Sequence, residues 1–176
     1  ILTSRHALFD PATFKDRNFT IGVILATIMG ALQFTPMVLF PPLLQELRGY
    51  PDAIVGYLIS ARGMGNFLSF FFVVQFTRFN PRLCLFFGLA LQSIAALWMA
   101  SLDINMTTSD VFWTNILHGI GFGTAYTPMA VLAFSTLSPR LLTQGNAIFA
   151  LLRLLGSSIF ISLTLVVFFR SSAEAG

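Results

Sequence analysis

The chain has 176 residues, 56 % of them hydrophobic and only 10 % charged, with 20 Phe and a mean hydropathy of +0.81. A soluble domain carries about 25 % charged residues, and one of this length still exposes roughly a third of its unfolded surface. A large core therefore does not explain the shortfall, and the chain reads as an all-α membrane protein.

The lone Cys84 excludes an intrachain disulfide, and no Cys/His cluster has zinc spacing, so no metal is expected. The net charge of +3 is spread singly along the chain, without the basic run a nucleic-acid footprint needs. No nucleic-acid partner is expected. Residues 1–14 lack the basic, apolar and cleavage regions of a signal peptide. The absence of a starting Met reads as a piece of a longer protein.

A hydrocarbon core of about 30 Å needs about 20 apolar residues in a helix. Charges bound five such stretches after a linker at 1–17: residues 18–45, 53–77, 83–102, 111–138 and 141–169. Turn chemistry marks the joints, at Arg48-Gly49-Tyr50-Pro51, Asn80-Pro81 and Ser138-Pro139. The second and fifth stretches are interrupted only by Arg62 and Arg153. In the second, twelve Ile, Leu, Val and Phe side chains at roughly −0.3 to −0.6 kcal/mol each outweigh about +3 for a central Arg.

Lys and Arg set the direction. Arg5, Lys15, Arg17, Arg78, Arg82 and Arg140 fall on one side. Arg48 and Arg170 share the other with Glu46, Asp52, Asp103, Asp110 and Glu174. The lipid bilayer of the cell (inner) membrane is the expected surround, with a cytoplasmic N-terminus and an outward C-terminus.

An internal repeat follows. Phe34-Thr35-Pro36-Met37 returns as Tyr126-Thr127-Pro128-Met129, offset by 92 residues, and Arg62-x-x-Gly65 returns as Arg153-x-x-Gly156, offset by 91. Three helices separate the matched spans, so the repeat is inverted. The same offset places a sixth helix near residue 173, making residues 171–176 the start of a connection in a truncated six-helix unit. Inverted triplets are a transporter design whose substrate site lies near mid-bilayer, flagged by matched Pro-interrupted helices. Pro36 and Pro128 are such a pair, and their bends are expected to meet at mid-depth. The plainer account is that proline is common in membrane helices.

Arg62 and Arg153 lie about 14 Å and about 18 Å into their spans, too deep to snorkel easily. Such charges face a cavity or a partner; the competing role is a brace on helix-end carbonyls. Asn146, Phe149, Gly156, Phe160 and Thr164 recur on one face of the fifth span, as do Asn115, His118, Gly119, Phe122, Tyr126 and Met129 on the fourth. Together with Gln33 and Phe34, these mixed stripes read as a wet, drug-accommodating wall, or as hydrogen-bonding glue between helices. His118 alone reads as an interfacial histidine before a proton relay. Gly119-x-x-x-Gly123 reads as a close helix approach, since no strand or Lys accompanies it as a phosphate loop would require. The third span is a lipid-facing buttress with Gln92 and Ser93 inside, and Cys84 is a small hydrophobe.

Arg17-Asn18-Phe19, Gly49-Tyr50, Ala61-Arg62-Gly63-Met64-Gly65, Arg78-Phe79-Asn80-Pro81-Arg82, Gly119-Ile120-Gly121-Phe122-Gly123 and Leu151-Leu152-Arg153-Leu154-Leu155-Gly156 resemble, in order, the major facilitator superfamily. The fourteen-span drug:proton antiporters of EmrB/QacA type are the nearest subfamily, matched over helices nine to thirteen. The resemblance implies the C-terminal bundle of a proton-coupled multidrug exporter working by alternating access. Its partners would be an N-terminal bundle of the same protein, small lipophilic or cationic substrates and a periplasmic adaptor. No cofactor is implied beyond the proton gradient. It makes Arg78 and Arg82 a cytoplasmic gate loop, although Thr77 and Asn80 stand where the family carries acids and Val74 where it carries Gly. A non-transporting sensor or assembly subunit on the same fold is the alternative. An intramembrane lipid-modifying enzyme is weaker still, because one His without an intramembrane acid is a poor catalytic inventory.

Overall fold

A computed structural model describes residues 11–102 and 105–174. Arg5, Asp103 and residues 175–176, used above as markers, lie outside the described residues. A 3₁₀ turn, Pro11–Lys15, precedes five helices: α1 Arg17–Arg48, α2 Asp52–Phe79, α3 Pro81–Ala100, α4 Thr108–Phe134 and α5 Leu142–Glu174, with a second 3₁₀ turn at Pro139–Leu141. All five are long and apolar enough to cross a membrane. The residues at 171–174 continue α5 instead of leaving it.

Each boundary has a local cause. Asp16 caps α1, accepting from the Phe19 N–H at 3.0 Å and from the Thr136 hydroxyl at 2.8 Å. Gly49, at φ 61°, ends α1 where its N–H donates to the Gln45 carbonyl. Asn80 alone separates α2 from α3; its side chain accepts from the Arg82 and Leu83 N–H groups, and Pro81 opens α3.

The chain forms two compact units, one of residues up to Thr35 and from Ala130 onward, the other of Pro36–Met129. In the first, Phe19, Phe134 and Phe149 pack as a tilted aromatic chain, with centroids 5.9 Å and 5.3 Å apart. In the second, Leu44, Val55, Leu58 and Val111 form a core flanked by Phe40, Tyr50 and Met106. There Arg48 Nη2 donates to the Met106 carbonyl at 2.7 Å, and the Tyr50 and Thr108 hydroxyls lie 3.3 Å apart. These bonds tie the α1–α2 connection to the α3–α4 connection.

That end of the helices also holds Tyr50, Tyr57, Trp98 and Trp113, the aromatic types of a membrane interface. Arg78 and Arg82 of the same unit belong to the opposite ends of α2 and α3. Large apolar side chains point outward along the helices between, Phe71 and Phe87 among them at 66 % exposure each. Such a surface needs lipid around it.

Candidate functional site

The repeat appears in the structure as a packing motif built twice. In the Pro36–Met129 unit, α2 lies directly on α4. A Cβ added to Gly65 would overlap the Ile116 carbonyl, and one added to Gly119 would overlap the Arg62 carbonyl. In the other unit, α5 lies on α1 in the same way: a Cβ on Gly156 would meet Thr27, and one on Gly30 would overlap the Arg153 carbonyl. Each crossing therefore joins an Arg-x-x-Gly segment to a second segment whose glycine follows its partner residue by three. Only glycine lets two helix backbones approach this closely. Along its own helix, Arg62 lies about 15 Å from the α2 start and Arg153 about 17 Å from the α5 start. Both crossings are thus near half the thickness of a hydrocarbon core.

The arginine side chains leave these crossings differently. Arg62 is buried, and its Nη2 donates to Asn115 Oδ1 at 2.9 Å. Asn115 is fixed in turn by its Nδ2 donating to the Val111 carbonyl at 2.8 Å. Arg153 is half-buried, with its guanidinium carbon 6.0 Å from the centre of the Phe34 ring, a cation–π distance.

On α4, Asn115, His118, Gly119, Phe122 and Met129 are buried, with Phe122 stacked on Tyr126 at 5.5 Å. Pro128 is buried, while Gln33, Phe34 and Pro36 are half-buried. The glycines 119 and 123 meet Arg62 and Ser69, as the small-residue reading requires.

The α5 stripe is not one wall. Phe149 and Gly156 are buried, but Asn146 and Phe160 are exposed. Asn146 lies in an open recess with Phe134, Leu142 and Thr143, and Phe160 borders an apolar groove of about 240 Å³ with Thr27, Ile28 and Leu32. Thr164 returns its hydroxyl to the Phe160 carbonyl of its own helix at 2.8 Å. Polarity there is absorbed by the backbone and does not line a common face.

The prolines also depart from expectation. Pro36 is about 28 Å along α1 from its start, whereas Pro128 is only about 9 Å from the α4 end, and both helices run unbroken through them. In an inverted pair, matched residues share a level only where they lie at the midplane. Nothing in the sequence reading singled out Gly30 as a partner for Arg153. The signal was present, because Thr27-x-x-Gly30 and Ile116-x-x-Gly119 share one spacing.

Cys84, read as a small hydrophobe, sits between two polar atoms. Its thiol donates to the Thr124 carbonyl at 3.6 Å and accepts from the Thr77 hydroxyl at 3.8 Å.

Five apolar helices with two buried or half-buried arginines at repeated crossings define a polytopic α-helical membrane protein. No protein-family model matches the chain. It is 26 % identical over 165 residues to the multidrug export protein EmrB of Escherichia coli, a match covering 93 % of this chain and 32 % of that protein. The colistin resistance protein EmrB of Acinetobacter baumannii is 25 % identical, covering 92 % of this chain and 32 % of the relative. The multidrug export protein EmrB of Haemophilus influenzae is 24 % identical, over 98 % and 34 % respectively. The chain is a homologue of these EmrB-type export proteins, as the ordered motifs indicated. It spans about a third of the length of the curated relatives it matches.

Proposed function

We propose that the chain is the C-terminal helical bundle of a proton-coupled exporter of lipophilic or cationic small molecules. The observation that carries this reading is the duplicated crossing, Arg62/Gly65 on Ile116/Gly119 and Arg153/Gly156 on Thr27/Gly30. Buried ionisable groups between membrane helices mark transport paths, and inverted repeats place them near mid-bilayer. The names of the relatives, multidrug export and colistin resistance, support drugs as the cargo. Backbone-on-glycine contacts have few interlocking side chains, so each crossing is suited to the small shear motions that alternating access requires.

In this reading Arg153, with Phe34 beside it, faces the path. Arg62 is held by Asn115 and acts mainly as a brace. An N-terminal bundle supplies the proton-carrying acid, the basic helix ends face the cytoplasm, and the surrounding membrane is the inner one.

The test reconstitutes the full-length protein in liposomes and follows a fluorescent lipophilic cation under an imposed pH gradient. Gradient-driven movement is expected, lost in Arg153→Ala while expression and folding persist. Failure to move any such cation overturns the reading, and unchanged transport in Arg153→Ala removes that residue from the path.

A further inference from the structure

We propose that the corner between α2 and α3 is a binding site for the headgroup of an anionic phospholipid, with Arg78 and Arg82 as its phosphate ligands. Both arginines are exposed, four residues apart across the one-residue joint at Asn80. The joint is stiff. The Asn80 side chain accepts from the Arg82 and Leu83 N–H groups at 3.2 and 3.3 Å, its N–H donates to the Phe76 carbonyl, and its carbonyl accepts from the Cys84 N–H. The two arginines therefore leave from a fixed backbone corner, which lowers the ordering cost of bringing both to one anion.

Three features select a membrane lipid. The corner ends two helices of membrane-crossing length, so it lies at the level of the headgroups. Next to it, Phe72, Phe76 and Phe79 follow one another at helical spacing on α2, and Leu83, Phe86 and Phe87 do so on α3; all are at least 61 % exposed. These side chains supply acyl-chain contacts on the two helices that carry the charges. Finally, no acidic residue occurs between Ala53 and Leu102. A zwitterionic headgroup would bring an ammonium with no carboxylate to receive it, whereas a net-negative headgroup leaves the guanidiniums matched. Arginine pairs planar phosphate oxygens bidentately, which adds to the point charge.

The test uses the full-length protein purified in detergent and titrated separately with phosphatidylglycerol, phosphatidylcholine and glycerol phosphate, bound molecules being counted by native mass spectrometry. Phosphatidylglycerol should bind more tightly than phosphatidylcholine by about fivefold for each arginine. Arg78→Gln/Arg82→Gln should abolish that preference, and Arg78→Lys/Arg82→Lys should keep most of it. Because both side chains are exposed, the variants fold, which the unchanged elution and melting of the lipid-free protein will register. Equal binding of the two lipids, or a preference that survives the double Gln variant, overturns the proposal. So does full occupancy by glycerol phosphate at the same concentration, since the site then reads a free phosphate and not a lipid.

Discussion

The Cys84 thiol lies 3.6 Å from the carbonyl oxygen of Thr124, and Thr124 is the residue whose helical donor Pro128 removes. Proline has no N–H, so the carbonyl four residues earlier loses its partner. Inside a membrane no water replaces it, and an unsatisfied backbone group is costly. Cys84 reaches this carbonyl from the first turn of α3 and is itself steadied by the Thr77 hydroxyl. Cys84→Ala should destabilise the full-length protein in detergent by about 1 kcal/mol, whereas Cys84→Ser, with a stronger donor, should not. The cost should shrink in a Pro128→Ala background, where residue 128 regains its N–H. A double-mutant cycle by thermal or denaturant unfolding measures this coupling; independent, additive effects would refute the link.

The crossings predict a sharp contrast among glycines. Gly65 and Gly119 face backbone carbonyls, while Gly56 and Gly63 on the same α2 helix have no atom within 4 Å of an added Cβ. Gly65→Ala and Gly119→Ala should each cost about 1–3 kcal/mol, because a carbonyl in a helix cannot move aside as a flexible side chain can. Gly56→Ala and Gly63→Ala should be neutral or stabilising by about 0.5–1 kcal/mol, through lower unfolded-chain entropy. Unfolding midpoints of the four variants decide it. A uniform response across all four would mean that α2 and α4 do not touch at this point.

The five helices follow from charge-bounded apolar length, and the α2–α3 corner follows from Asn80-Pro81, because solvation and turn chemistry are local. The helix α4 overshoots the expected start, beginning at Thr108 and not at Val111, because Asp110 caps it by accepting from the Thr107 N–H at 3.0 Å. A charge marks a membrane boundary but not a helix boundary. The Arg-x-x-Gly repeat was legible as a pattern, yet its partners on α1 and α4 were not, since which backbone a glycine meets is a tertiary fact. Cys84 was opaque for the same reason: its acceptor is forty residues away in sequence.

Asp16 makes the start of α1 sensitive to acid. Hydrogen bonds from the Phe19 N–H, and then from the Thr136 hydroxyl, favour its carboxylate and hold its pKa below the ordinary 3.8. A lowered folded-state value means stability that is fully present above the unfolded pKa and is lost as pH falls through the folded one. The full-length protein should therefore lose part of its stability below about pH 4. Asp16→Asn should flatten that acid limb while preserving the cap, and Asp16→Ala should cost about 1 kcal/mol at neutral pH. Melting temperatures from pH 3 to pH 7 test both. An unchanged acid limb in Asp16→Asn would assign the loss to another group.

Arg62 and Asn115 should behave as one unit. The guanidinium is 5 % exposed and donates to the Asn115 amide oxygen, which the Val111 carbonyl orients through the amide nitrogen. Truncating the acceptor removes one partner of a buried charged group, and this costs more than the bond itself contributes. Asn115→Ala should thus destabilise by about 1–3 kcal/mol. Replacing both partners removes the buried charge itself, so Arg62→Met/Asn115→Ala should be markedly more stable than the sum of its single variants. The same cycle separates a brace from a transport residue. If Arg62 serves the α2–α4 crossing, Arg62→Met/Asn115→Ala regains export activity along with stability. Recovered stability without recovered export would instead put the Arg62 guanidinium on the substrate path beside Arg153.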